Sequence, residues 1–409
     1  MWLYNLGISL YAGGIRLAAL WHGKARLWSE GRRNIFERME AAVRPSDRIV
    51  WVHAASLGEF EQARPIIERL RAERPEYKIL LTFFSPSGYE IRKNYEGADY
   101  VFYLPADTPS NARRFLDIVH PEIAIFIKYE FWINLLSELR RRKVRSYIVS
   151  AIFRRNSVFF RPYGAMWRQA LETFDTLFVQ NVESKRLLSE IGFDNVVVAG
   201  DTRFDRVAQI AAAAQRVETI ERFRGGGRLF VAGSTWGPDE EILLPLVNAN
   251  PDVKFVIAPH EMDEGRIAHL MRNAKGGAVR YTQCDAATRF DDVQVLVLDT
   301  MGMLSSVYGS ATWAYVGGGF GVGIHNTLEA ATFGLPIAFG PNYGKFKEAR
   351  DMVSLGCAVS VRTAGELAAW FAPLCDDEET LRRASRTAKD YTARNQGATG
   401  IILRSIFNS

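Results

Sequence analysis

A carboxylate in the first turn of a helix, directly after a buried strand, can take a proton from an attacking hydroxyl. The run Trp51-Val52-His53-Ala54-Ala55-Ser56-Leu57-Gly58-Glu59 has that form. An apolar strand leads into a Gly turn and then a helix, which makes Glu59 a candidate general base at the strand's carboxyl end. The helix dipole favours its ionised form. Ser56-x-x-Glu59 is equally a capping box, so the pair also has a purely structural reading.

Two further strand ends carry ligand-binding chemistry. Ala232-Gly233-Ser234-Thr235 precedes a helix opened by Pro238, Asp239 and Glu240, and backbone N–H groups around Ser234 can hold a phosphate. Gly317-Gly318-Gly319-Phe320-Gly321-Val322-Gly323-Ile324-His325-Asn326-Thr327-Leu328-Glu329 places five glycines in seven positions after another strand. Glycines at Gly318 and its neighbours let a ligand approach the backbone. A helix is expected from near Asn326 to Gly334, with Glu329 in its first turn able to bond ribose hydroxyls. An Asn326 cap with Glu329 accounts for that pair without a ligand, though not for the glycines. Pro259-His260-Glu261 and Asp299-Thr300-Met301-Gly302 also follow strands. No Asp-x-Asp pair follows a strand, so a metal-held diphosphate is not expected; no cofactor is expected. There is no Walker A motif and no nucleophile elbow, which argues against an NTPase or an α/β-hydrolase.

The elements that must position these residues are strands alternating with amphipathic helices. Buried strands are expected at 49–54, 78–84, 100–104, 123–127, 146–150, 176–179 and 196–199. After a polar, Ala-rich pause, strands resume at 229–232, 254–258, 295–298, 313–316 and 336–339. Alternation of this kind implies parallel sheets covered on both faces. The expected class is therefore α/β, as two doubly wound, Rossmann-like domains facing across a cleft. The boundaries are an N-terminal membrane-associating segment at 1–40, a first domain at 41–206, a linker at 207–227 and a second domain at 228–380. A C-terminal helix at 381–409 packs back on the first domain.

The net charge of +5 is unevenly shared. Residues 1–206 hold 31 basic and 24 acidic residues, a balance of +7, which leaves −2 for the rest. The basic half is the one expected to meet an anionic partner. The densest run, 140–145, reads most simply as a solvated helix end. Residues 2–21 are mostly apolar and about long enough to span a bilayer, but Asn5, Arg16 and three glycines interrupt them. Trp2 and Trp21 flank the run, and Lys24, Arg26, Arg32 and Arg33 follow it, as in an interfacial anchor. No small-residue cleavage site follows, so a removable signal is not expected. Three scattered cysteines exclude a secreted disulfide scaffold.

At these residues the sequence resembles the 3-deoxy-D-manno-octulosonate (Kdo) transferases of lipopolysaccharide assembly, glycosyltransferases of GT-B fold. The resemblance runs in order from His53-Ala54-Ala55-Ser56-Leu57-Gly58-Glu59 through Thr82-Phe83-Phe84-Ser85-Pro86-Ser87-Gly88 and Leu104-Pro105-Ala106-Asp107. It continues at Glu130-Phe131-Trp132, at Gly200-Asp201-Thr202-Arg203-Phe204-Asp205 and at Ala232-Gly233-Ser234-Thr235, and closes with 317–329 and Gly340-Pro341. It implies inverting transfer of Kdo from CMP-Kdo to a lipid A precursor, on the cytoplasmic face of the cell inner membrane. It implies Glu59 as the base, and CMP contacts from Pro259 and His260, from Met301, Gly302 and Met303, and from Asn326, Thr327, Leu328 and Glu329. Arg203 stands where the family usually carries a Lys for the departing charge; it keeps the charge but not the ammonium's point geometry. Lys128 stands where the family commonly carries a Glu, so either Glu130 substitutes or Lys128 meets an oxyanion. Two alternatives are another GT-B enzyme using a UDP-sugar, transferase or epimerase, and a non-catalytic CMP- or lipid-binding relative. A nucleic-acid partner is not expected, since it would need the charge but not the glycine-rich loop.

Overall fold

The computed structural model describes residues 1–408. The chain divides into two compact units, Met1–Arg206 together with 396–408, and Val207–Asn395. Each is built on one seven-stranded parallel sheet.

In the first unit the strands are β1 (Ile49–His53), β2 (Lys78–Phe83), β3 (Tyr100–Tyr103), β4 (Ile123–Ile127), β5 (Arg145–Ala151), β6 (Thr176–Val179) and β7 (Val196–Val198). They lie in the order β3-β2-β1-β4-β5-β6-β7. The central strands β1 and β4 are buried at every position because both faces are covered. Val50, Val52, Ile123 and Ile125 pack with Phe60, Ile66 and Leu70 of the helix Leu57–Glu73, and with Ile402, Leu403 and Ile406. Trp51, Ala124 and Phe126 point into the opposite layer, where the Trp51 and Phe115 rings meet at 4.8 Å.

The second unit contains β8 (Leu229–Thr235), β9 (Lys254–Pro259), β10 (Ala278–Arg280), β11 (Val295–Val297), β12 (Trp313–Val316), β13 (Ile337–Phe339) and β14 (Ala358–Ser360). Their order is β10-β11-β9-β8-β12-β13-β14. The strand order reverses direction between β1 and β4 in the first sheet and between β8 and β12 in the second, where β11 also slots in between β10 and β9. Crevices at the carboxyl ends of such strand pairs are where doubly wound sheets bind ligands.

Several elements differ from the sequence reading. The strands Ala278–Arg280 and Ala358–Ser360 were not expected; both are three-residue edge strands with a polar end, too short to show a pattern. The stretch read as a linker at 207–227 is largely helical, in Thr202–Ala213 and Glu218–Arg224. Ile220 and Phe223 are buried in the second unit, so the stretch belongs to its core. The expected helix at 381–409 is two helices, Glu378–Arg394 and Ala398–Phe407, broken where Gly397 takes a φ of 104°. Only the latter belongs to the first unit. Asp205 fastens its start, accepting hydrogen bonds from Gly397 N–H at 2.6 Å and Thr399 N–H at 2.7 Å.

The N-terminal segment forms the helices Trp2–Ala18, Gly23–Glu30 and Ile35–Ala42. Tyr4 ties the first of them to the unit by donating to Asp107 at 2.7 Å. Among the described residues no helix is long and apolar enough to cross a membrane. The basic run 140–145 is a helix end tied down by neighbours. Arg140 pairs with Glu172, Arg141 and Arg142 pair with Glu138, and Arg142 also reaches Asp117.

Candidate active site

Glu59 sits in the first turn of the helix Leu57–Glu73, beyond the carboxyl end of β1. Its Oε2 accepts the Ala55 N–H at 2.6 Å. The Ser56 side chain makes no cap bond, so the expected capping box is only half formed. Burial, and then the neighbouring Glu130 carboxylate, push the Glu59 carboxyl up to about 7; the backbone N–H of Ala55, Lys128 and the N–H of Ser56 act against them. A carboxylate poised near neutrality is suited to general-base work.

Glu130 follows β4, the strand next to β1. Its Oε2 takes the Trp132 indole N–H at 2.8 Å and lies 3.2 Å from His53 Nε2. His53 is fully buried at the end of β1, and its Nδ1 lies 2.9 Å from Thr82 Oγ1 on β2. A buried imidazole and an indole thus fix the carboxylate that faces Glu59. Lys128 supplies the turn that brings Glu130 back over the sheet, with a φ of 59° in the left-handed region, a costly conformation for a residue with a Cβ. Its backbone N–H donates to Val149 O at 2.9 Å. The sequence reading included His53 in a motif but gave it no role. Its signal was a polar residue ending an otherwise apolar strand.

Arg203 lies past the end of β7 and is gripped by Asp201, which accepts from its backbone N–H at 2.9 Å and its Nε at 2.9 Å. The Asp201 carboxylate also takes Gln62 Nε2 at 3.2 Å, and Thr202 Oγ1 donates to Gln62 O at 2.7 Å. Gln62 lies on the Glu59 helix, so Arg203 is referenced to the same element. Tyr129 feels the charge of both Glu59 and Arg203. Its hydroxyl is pushed up by burial first, with Asp201 and Glu59 adding to the rise and Arg154 and Arg203 opposing it. Glu59, Lys128 and Glu130 form one electrostatic cluster, and Tyr129 is subject to both Glu59 and Arg203.

In the second unit, loops from β8, β9, β11 and β12 converge. Trp236, His260 and His325 stack, with ring centroids 4.8 and 4.4 Å apart. Trp236 Nε1 donates to His325 Nε2 at 3.2 Å. Burial and the neighbouring His260 lower the pKa of His325, which keeps it neutral at pH 7. Pro259 ends β9, and the His260 N–H donates to Thr235 O at 2.9 Å. Ser234 holds a left-handed φ of 54° at the end of β8. Asn326 Oδ1 accepts the Leu328 N–H at 3.1 Å while its Nδ2 donates to Glu329 at 3.0 Å. The capping arrangement is therefore present, but the helix is short, Leu328–Ala331. Thr327 is buried, and its hydroxyl has no hydrogen-bond partner among the described residues. Glu329 also accepts from Ser305 at 2.9 Å, which brings the Met301-Gly302-Met303 turn to the same place, with Met301 78% exposed.

The glycine run serves the protein's own backbone more than was expected. A Cβ on Gly317 would lie 2.2 Å from Ser234 O, because β12 and β8 meet there. Gly318 has a φ of 90°, and its N–H donates to Asp239 at 3.0 Å. Asp239 also accepts from Trp236 N–H at 2.9 Å and from Tyr315 at 2.7 Å, so one buried carboxylate locks both loops. The sequence reading saw Asp239 only as a helix opener. Its partners come from 76 and 79 positions along the chain, a distance that local pattern does not register. Among the described residues no group of His, Cys, Asp or Glu is placed to hold a metal ion.

Residues 32–206 match the family model described as 3-deoxy-D-manno-octulosonic-acid transferase (kdotransferase). That match takes in all seven strands of the first unit, and over it the chain is similar to the Kdo transferases. A relative from Haemophilus influenzae, 3-deoxy-D-manno-octulosonic acid transferase, is 25% identical over 88% of this chain and 86% of its own. The protein of the same name from Bordetella pertussis is 28% identical over 87% of this chain and 86% of its own. Among solved structures, UDP-GlcNAc 2-epimerase from Neisseria meningitidis, bound to UDP-GlcNAc, superposes with a TM-score of 0.62. That likeness has 15% identity and covers 88% of this chain and all of that one, and it concerns the fold alone. The fold is GT-B.

Proposed function

We propose that the protein transfers Kdo from CMP-Kdo to a hydroxyl of a lipid A precursor, with inversion at the anomeric carbon. The observation that carries this reading is Glu59: a half-buried carboxyl held near neutrality, at the switch point of the first sheet, in a chain similar to the Kdo transferases. In the step, the acceptor oxygen bonds to the anomeric carbon as the bond from that carbon to the CMP phosphate oxygen breaks. The electron pair leaves with CMP, and the acceptor proton passes to Glu59. Glu130, fixed by Trp132 and His53, raises the affinity of Glu59 for that proton. It thereby supplies the second carboxylate that the resemblance would have put at position 128, while Lys128 keeps Glu59 from being protonated too readily.

Arg203, oriented by Asp201, is assigned to the departing negative charge. In the second unit, His260, Asn326, Thr327, Leu328 and Glu329 are assigned to CMP, together with Ser234, Pro259, Gly318 and the turn Met301-Gly302-Met303. The Thr327 hydroxyl and the Asn326–Glu329 pair offer hydrogen bonds to the nucleotide. The acceptor is an amphiphile, and the first helix exposes Trp2, Leu3, Leu6, Leu10 and Leu17. We assign that helix to interfacial seating on the cytoplasmic face of the inner membrane.

The test is transfer from CMP-Kdo, generated in situ, onto a tetraacylated lipid A precursor, with products weighed by mass spectrometry. Wild type gains the mass of one or more Kdo units; Glu59→Gln binds CMP but gives no gain. Full activity in Glu59→Gln would remove Glu59 from the mechanism. CMP binding without transfer by wild type would instead favour the non-catalytic reading, for which Lys128 is the motive.

A further inference from the structure

The N-terminal helices enclose a cavity whose lining includes none of the residues assigned to the transfer. It measures about 750 Å3 and lies among the helices Trp2–Ala18, Gly23–Glu30 and Ile35–Ala42 and the turn at Pro105-Ala106. Arg16, Arg26, Arg32 and Arg33 line it, against the carboxylates of Glu30 and Glu37. Glu37 is already paired with Arg114 at 3.3 Å.

Arg32 is mostly buried. Its Nε donates to Leu104 O at 2.8 Å, Nη1 to Trp28 O at 3.1 Å and Nη2 to Phe84 O at 2.8 Å. Its guanidinium carbon lies 3.9 Å from the centre of the Trp28 ring. Among the described residues no carboxylate pairs with it. Two more polar groups on this wall are buried without any partner among the described residues, the Trp28 indole N–H and the Ser29 hydroxyl. Trp28 is only 5% exposed. Buried donors are satisfied in nearly all proteins, so an N–H and a hydroxyl left open beside an uncompensated guanidinium call for oxygen atoms bearing negative charge.

The surroundings identify the source of those oxygens. The cavity is roomier than an inorganic phosphate needs, and the helix forming one side presents Leu3 and Leu10 at 67% exposure and Trp2 at 71%. We propose that this cavity seats the phosphate of an anionic membrane-lipid headgroup while the apolar face of the first helix lies in the same leaflet. Phe84 links that seat to the chemistry. Its ring centroid is 5.9 Å from that of Trp28 and 4.5 Å from that of Trp132, the residue that holds Glu130. This inference rests on the membrane-surface part of the proposed function and is independent of the donor.

The full chain is tested in two ways. First, the Trp28 indole resonance, assigned through Trp28→Phe, is followed during titration with monomeric short-chain phosphatidylglycerol and, separately, with inorganic phosphate. Second, co-sedimentation with phosphatidylcholine vesicles containing phosphatidylglycerol is compared between two charge-matched pairs. One is Arg16→Gln with Arg33→Gln, in the cavity. The other is Lys24→Gln with Arg44→Gln, exposed cations outside it.

A saturable Trp28 shift with phosphatidylglycerol, reached at about tenfold lower concentration than with phosphate, is the expected result. The cavity pair should weaken it about tenfold more than the outside pair does. An unmoved Trp28 in a protein that still sediments with vesicles would overturn the cavity and leave the surface reading standing. Equal losses in both pairs, or equal affinity for free phosphate, would also overturn it. A protein that ignores vesicles altogether would take the surface reading down as well.

Discussion

Glu59 titrates where it can be measured. Its carboxyl is held near 7 by burial and by Glu130, so kcat/KM should rise with pH along a limb whose apparent pKa lies near neutrality. Removing the like charge in Glu130→Gln moves that limb to lower pH. Removing the cation in Lys128→Met moves it to higher pH, because Lys128 opposes the rise. A pH–rate series on the three proteins separates these signs, and unshifted limbs in both variants would show that the cluster does not govern the base. Stability carries the same signature. Glu59 binds its proton more tightly folded than unfolded, so ionising it destabilises the fold as pH climbs from about 4.5 to 7. Glu59→Gln should therefore gain stability over wild type above neutrality, by at most about 3 kcal/mol, and little below pH 4.5. Urea titrations at the two pH values check it. Glu59 was legible in the sequence because its environment is local, a strand, a turn and a helix start. The carboxylate beside it was legible only as one of two choices. What favours Glu130 in the proposed reading is the hydrogen bonding of Trp132 and His53, which depends on β1 and β4 being neighbours.

The loops of the second sheet are held by contacts that single substitutions can break. Gly317→Ala would drive a Cβ into the Ser234 carbonyl, and that backbone has nowhere to go. It should destabilise the second unit and abolish CMP binding. Gly321→Ala meets nothing closer than 3.6 Å and should be nearly silent. Calorimetry with CMP distinguishes them. Asp239 makes a second contrast. Asp239→Leu strands three donors and should cost about 3 kcal/mol, whereas Asp239→Asn keeps an acceptor for the two N–H groups and should cost about 1. Most strands were readable because each is buried on both faces and flanked by Gly or Pro turns. Ala278–Arg280 and Ala358–Ser360 were not, since an edge strand of three residues carries no periodicity. The supposed linker failed for a different reason. Its Ala-rich composition resembles a spacer, while Ile220 and Phe223, one helical turn apart, are what anchor it.

At the scale of the whole chain, charge and apolar surface lie together in residues 1–206. Binding to anionic vesicles should weaken as salt is raised, and Leu10→Ser should weaken it further without lowering Tm, because Leu10 supports no core. Flotation assays at two ionic strengths test both statements. The path of the chain has one further consequence. Residues 207–395 form a unit of their own, and only afterwards does the chain return, in Ala398–Phe407, to cover the sheet face beneath Ile402, Leu403 and Ile406. During synthesis the first unit therefore waits on the ribosome with that apolar face bare until the helix emerges, whereas the second can close on its own. Truncated products ending before residue 396 would keep the face bare, offering chaperones and proteases a mark that separates unfinished chains from finished ones.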